Sequence, residues 1–208
     1  MAQDIFVRKN TLRPAVFLDR DGTINEQMGY INHISRFQLL PGVAAAIKKL
    51  NEANMPVVVV TNQSGLARGY FPEDLLVAVH EKMKQLLAEQ GAHVDNIYIC
   101  PHHPEAQNEQ YRLACNCRKP KTGLFLQAAA EMGLDLSRSF VIGDRWSDLK
   151  SAVACHATPV LVLTGYGRGD AQYIGPGQEV QPSFVGVDLA AAVQWILAQN
   201  DSRQNNDN

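Results

Sequence analysis

At 208 residues the chain is long enough for one well-buried domain and too short for two large ones. Its 46% hydrophobic and 19% charged residues are ordinary for a globular protein. A formal charge of -2 without any Lys/Arg run argues against nucleic acid as a partner. The longest apolar stretch, residues 56–60, is far too short to cross a bilayer, so no membrane is expected either.

The first ten residues carry charge early and lack an apolar secretory core, so no signal peptide is read and a cytosolic location is expected. In that reducing compartment four cysteines are poor candidates for a disulfide framework. Cys155 sits in an alanine-rich helical stretch and reads as core packing.

In chain order, Ala15 to Leu18 is a short apolar run ending at polar residues, as a buried parallel strand does. Val43, Ile47 and Leu50 share one face of a helix expected over 43–53. Residues 56–60 are uniformly apolar and mostly β-branched, a second central strand. Pro72 suits the first turn of the next helix, whose stripe is Leu75, Leu76, Val79, Met83, Leu86 and Leu87. A strand over 96–100 leads into a polar loop reaching Arg118. Thr122 is placed as the N-cap of a helix to about Met132, with Gly133 as its stop.

Ser139 to Ile142 forms a strand ending at Gly143-Asp144, and a helix follows through Leu149 and Val153. Val160 to Leu163 is a further strand, 189–198 a last helix, and 200–208 a polar tail expected to be disordered. This alternation predicts one α/β domain over 1–199, an open, largely parallel sheet with helices on both faces. Such sheets bind ligands beyond the carboxyl ends of their strands, where Asp19, Thr61, Cys100 and Asp144 all fall.

Asp19 and Asp21 leave an extended chain on the same side, and Gly22 lets the backbone turn at once. Two close carboxylates repel unless a cation or a shared proton compensates, and Mg²⁺ favours such oxygen ligands. Asp144 closes another strand, with Asp148 one helical turn on. A second cluster is softer: Cys100, Cys115 and Cys117 crowd around His102 and His103 in one loop. Three cysteines and one histidine make a tetrahedral set for Zn²⁺, closed and therefore structural. Pinning that loop would fix the direction in which Arg118 and Lys119 enter the active site.

Asp19-Arg20-Asp21-Gly22-Thr23, Thr61 after residues 57–60, Lys119, and Gly143-Asp144 with Asp148 together resemble the four ordered motifs of the haloacid dehalogenase superfamily. That resemblance implies a Rossmann-like three-layer α/β/α fold. It makes Asp19 the nucleophile and Asp21 the acid and base. It assigns Thr61 and Lys119 to the phosphoryl oxygens, and Mg²⁺ to Asp19, Asp144 and the Asp21 carbonyl. An acid at position 21 implies phosphate esters.

The short segments between the motifs leave no room for a cap domain. Capless, zinc-bearing members include the D-glycero-D-manno-heptose 1,7-bisphosphate 7-phosphatases and the histidinol-phosphate phosphatases. The chain is similar to the former at 19–25, 29–30, 61–69, 100–104 and 115–120, a pattern that favours His102 over His103 as the fourth zinc ligand. By that resemblance Arg20, Gln27, Met28, Gly29, Tyr30, Asn62, Gln63, Ser64, Arg118 and Arg145 contact a sugar bisphosphate. Arg118 is placed at the non-reacting phosphate and Arg168 is a further candidate for the wall. A monomer is expected.

Overall fold

A computed structural model describes residues 12–206. The segment read for a signal peptide therefore lies outside the described residues, as do the last two positions of the tail. The chain folds as β1 (Val16–Leu18), α1 (Val43–Glu52), β2 (Val57–Asn62), α2 (Glu73–Ala88), β3 (Asn96–Cys100) and α3 (Gly123–Met132), then β4 (Phe140–Gly143), α4 (Trp146–Ala154) and β5 (Thr158–Val162). A one-turn α5 (Gly167–Gly169) runs into a wider turn at Asp170–Ile174, and β6 (Phe184–Gly186) and α6 (Leu189–Asn206) follow.

Among the described residues the six strands are all parallel, in the order β3-β2-β1-β4-β5-β6. The order reverses between β1 and β4, where Leu18 pairs with Ile142, so a crevice opens beyond that pair. The run of valines in β2 explains the layers. Val57 and Val59 pack with α1, α2 and α6 on one face, and Val58 and Val60 with α3 and α4 on the other. Alternate residues leave a strand on opposite sides, so a strand buried on both faces is apolar throughout.

Burying each of these side chains is worth about 1.5–3 kcal/mol, which makes the central strands the least yielding part of the molecule. Cys155, 4% exposed, packs in the second layer with Phe125 and Val141, as expected of a core residue.

Several elements differ from the sequence reading, α5 and the turn after it among them. β6 was not foreseen, because Phe184–Gly186 is too short and too glycine-bounded to give a periodic signal. Thr122 occupies the N-cap position of α3, but its side chain makes no capping hydrogen bond. The last helix continues to Asn206, past the expected end near Ala198 and through most of the stretch expected as a disordered tail. Between β1 and β2 lie only a short 3₁₀ turn (Ile34–Arg36) and α1, and between β2 and Lys119 only α2, β3 and a 3₁₀ turn (Glu109–Tyr111). Among the described residues no cap domain stands over the crevice.

Candidate active site

The floor is built from the ends of β1, β2 and β4. The Asp19 amide donates to the Ile142 carbonyl at 2.9 Å, fixing Asp19 against β4. Lys119 reaches the same point from the loop before α3. Its ammonium donates to Asp19 Oδ1 and the Val60 carbonyl, both at 2.7 Å, and pairs with Asp148 Oδ1 at 2.7 Å. Two hydrogen bonds and this ion pair fix the direction of the lysine. Burial would lower its pKa, but Asp148 and Asp19 outweigh that and raise it, so it stays cationic.

One cation faces three carboxylates here. Carboxylate oxygens of Asp19, Asp144 and Asp148 lie within 4.8 Å of one another. Burial, and then the charges of Asp19 and Asp148, push Asp144 up to about 8. Asp148 is raised to about 6 by burial, in part offset by Lys119. Its Oδ2 also accepts from the Arg145 amide at 3.2 Å, so Asp148 is committed to Lys119 and the start of α4.

Asp144 is fully buried, and its Oδ2 accepts from the Tyr166 amide at 2.8 Å. Its Oδ1 has no partner. An orphaned carboxylate oxygen among like charges fits an oxygen-ligated divalent cation.

Two glycines make that approach possible. Gly22 and Gly165 both have positive φ, +89° and +54°, and a Cβ on either would collide with Asp144 Oδ2. Thr164 Oγ1 donates to the Gly22 carbonyl at 2.6 Å, strapping the loop after β5 onto the turn after β1.

Asp21 sits above this floor, its carboxylate held from behind. Arg20 Nη2 donates to both its oxygens at 2.9 and 2.7 Å, Asn25 to Oδ1 at 2.9 Å, and Gln63 to Oδ2 at 2.8 Å. Burial alone would raise its pKa, but the Arg20 charge and these hydrogen bonds together hold it below the usual carboxylate range. Gln63 also donates to Thr61 Oγ1 at 2.9 Å, tying the first motif to the second.

The cleft over this floor holds about 550 Å³. Asp19, Asp21, Thr61, Asn62, Lys119 and Asp148 line its base, Gln27, Gly29 and Tyr30 one wall, and Ser64 and Arg118 another. Arg145, Trp146, Ser147, Tyr166, Asp170 and Ile174 close the remaining side, with the Arg145 guanidinium 4.5 Å above the Tyr166 ring.

Beside the cleft, at the end of edge strand β3, ligand atoms of Cys100, His102, Cys115 and Cys117 lie within 4.8 Å of one another. Cys100 Sγ is 3.6 Å from Cys115 Sγ and 3.2 Å from Cys117 Sγ, and His102 Nδ1 is 3.2 Å from Cys117 Sγ. Burial and the neighbouring Cys117 raise the Cys100 thiol. Burial would raise Cys115 too, but hydrogen bonds from Cys117 and Cys100 outweigh it and bring Cys115 down to about 6. Three sulfurs and a ring nitrogen this close suit one soft cation. His103 is engaged elsewhere, its Nε2 2.9 Å from Arg68 Nη2.

Comparison with known proteins agrees with this geometry. The family described as polynucleotide kinase 3 phosphatase matches residues 15–153, and the HAD-hydrolase-like family matches 116–192. The D-glycero-beta-D-manno-heptose-1,7-bisphosphate 7-phosphatase of Photorhabdus laumondii is 48% identical over 73% of this chain and 81% of its own. The protein of that name from Escherichia coli K12 is 44% identical over 92% of this chain and 97% of its own. The chain belongs to the heptose-bisphosphate phosphatases of the haloacid dehalogenase superfamily. A crystal structure of the D,D-heptose 1,7-bisphosphate phosphatase from B. bronchiseptica, complexed with magnesium and phosphate, superposes with a TM-score of 0.80 at 37% identity. It covers 89% of this chain and 99% of that one.

In this member of the heptose-bisphosphate phosphatases, Gln27, Gly29, Tyr30, Asn62, Ser64, Arg118 and Arg145 line the cleft, whereas Arg20, Met28 and Gln63 do not and Asp144 lies buried outside its lining. Arg20 is 2% exposed and points beneath Asp21, because its guanidinium is taken by that carboxylate and by His80. Gln63 is spent on Asp21 and Thr61. Met28 offers its carbonyl to Arg36 Nη2 at 3.0 Å, and Arg36 also holds the Tyr30 carbonyl, so it shapes the wall from outside. Asn62 lines the base while clamping the Lys119 backbone through hydrogen bonds of 3.2 and 3.1 Å. Arg168 is exposed and does not line the cleft; its loop neighbours Tyr166 and Asp170 line it instead. The glycine-rich run 164–169 was the available signal for that wall, but nothing in it marked which side chains would turn inward.

Proposed function

We propose that the chain removes the 7-phosphate of D-glycero-D-manno-heptose 1,7-bisphosphate through a covalent phosphate on Asp19. The observation that carries this reading is an uncapped cleft with an acid pair at its base and arginine on two of its walls. Asp19 attacks phosphorus, forming the P–O bond as the bond to the sugar oxygen breaks. Asp21, protonated in the substrate complex, gives that oxygen its proton and then takes one from the water that releases phosphate. Thr61 and Lys119 hold the phosphoryl oxygens, and the Lys119 charge, anchored by Asp148, opposes the negative charge that gathers there.

A magnesium ion, held by Asp19, Asp144 and the Asp21 carbonyl, supplies charge neutralisation between nucleophile and phosphate when bound. Arg118, near the cleft rim, pairs with the phosphate that is not cleaved, since a guanidinium matches phosphate oxygens in geometry and charge. Gln27, Gly29, Tyr30, Ser64 and Arg145 surround the sugar. We assign zinc to Cys100, His102, Cys115 and Cys117, where it closes the loop that delivers Arg118 and Lys119. Unbonded thiols at that loop suit a reducing, cytosolic compartment.

The test compares kcat/KM of the magnesium-loaded enzyme on heptose 1,7-bisphosphate, fructose 1,6-bisphosphate and histidinol phosphate. The heptose should lead by at least about tenfold, the size of one or two polar contacts. A preference for histidinol phosphate would overturn the substrate assignment.

A further inference from the structure

Arg20 is a buried cation with five N–H donors to satisfy, and Asp21 accounts for only part of them. Nη2 forks onto both carboxylate oxygens, and Nε makes a longer contact of 3.3 Å with Oδ1. Nη1 remains. It lies 3.0 Å from Nε2 of His80, which is on α2 and 6% exposed. A guanidinium has no acceptor, so this contact is a hydrogen bond only when His80 Nε2 presents a lone pair. The ring must therefore be neutral and carry its proton on Nδ1. Burial first, and then the Arg20 charge, keep it neutral by bringing its pKa down to about 3.

We propose that His80 is a positioning residue for phosphoryl transfer: it fixes Arg20 by accepting from Nη1, and Arg20 in turn aims the Asp21 carboxylate at the leaving oxygen. The inference rests on the acid role of Asp21 proposed above. Asn25 and Gln63 each hold one Asp21 oxygen from the side. The Arg20 fork meets both oxygens and so sets the plane of the carboxylate. Remove the acceptor at position 80 and a buried Nη1 is left without a partner. The guanidinium then rotates toward another acceptor, and the fork loosens. His80 touches no substrate, so binding is untouched while proton delivery suffers.

The experiment uses the magnesium-loaded enzyme and two substrates, heptose 1,7-bisphosphate and p-nitrophenyl phosphate. Nitrophenolate departs without a proton, whereas the sugar alkoxide needs one. The parameter kcat/KM covers the steps up to leaving-group departure, so the later base role of Asp21 drops out. His80→Leu should lower kcat/KM on the heptose roughly 10–100-fold and leave nitrophenyl phosphate within about threefold of wild type. His80→Gln, whose amide oxygen can accept from Nη1, should recover most of the loss. Arg20→Lys, which keeps the charge and loses the fork, should repeat the Leu pattern and serves if His80→Leu does not fold.

Equal losses on both substrates, or identical behaviour of the Leu and Gln variants, would overturn the positioning role. Asp21→Asn is measured alongside. If it spares the heptose reaction, the acid role of Asp21 fails and the inference falls with it. If Asp21→Asn abolishes that reaction while His80→Leu does not affect it, only the inference fails.

Discussion

The carboxylate floor and the cysteine-histidine loop stand side by side, yet they solve opposite electrostatic problems. The floor is made of strand ends and the first turn of α4, is buried at Asp144 and Asp148, and carries more negative charge than Lys119 can balance. The loop hangs from the end of edge strand β3, and Cys115 and Cys117 are partly exposed. Its donors are softer and can share protons among themselves. Both clusters point to a cation. On the proposed reading, an ion in the floor would take part in a reaction whose groups the sheet already holds, whereas an ion in the loop would tie together a segment that lies outside the sheet. Breaking the first should therefore cost rate at constant fold, and breaking the second should cost fold first.

The largest expected effect is on the floor. Asp19→Asn should reduce kcat on the order of 10⁴-fold with an unchanged melting temperature, measured by phosphate release and calorimetry. Retained activity would end the covalent mechanism. On the loop side, replacing Cys115 and Cys117 together with Ser should remove zinc, read as metal content per chain. The melting temperature should fall by roughly 10 °C or more, with kcat/KM down roughly 10–100-fold as Arg118 and Lys119 lose their aim. A variant that keeps its melting temperature would show that the loop does not depend on metal.

The smallest effect sharpens the contrast within the floor. Gly165→Ala places a methyl group against Asp144 Oδ2 and the Gly22 backbone, so Asp144 must turn away from its present position. Magnesium affinity, followed by titration calorimetry, should weaken roughly tenfold, while zinc content stays at the wild-type value. An unchanged magnesium affinity would mean that the strap over Asp144 does not set its direction.

The sequence by itself was enough for the alternation of strands and helices. The all-apolar Val57–Val60 run, the glycine stop after Met132 and the stripe of α2 each follow from local rules of burial and backbone freedom. It was also enough to single out the acids and the cysteine-histidine set that the fold brings together, because side-chain type at a strand end limits the chemistry that can occur there. What it could not give was the use made of side chains that are polar but not reactive.

Arg20 and Gln63 stand within the motifs and were read as substrate contacts. Only the packing of α2 and the β2 end turned both inward, to hold Asp21. His80 looked like one more residue of a helix, since its partner is brought to it by the fold and not by spacing. Tyr166, Asp170 and the wall they form depend on how the loop after β5 is strapped to Gly22, a contact between positions more than a hundred residues apart. Local preference settles which element a residue joins and which chemistry it carries. The neighbours that satisfy a buried charge or a spare N–H are chosen only when distant segments close on one another.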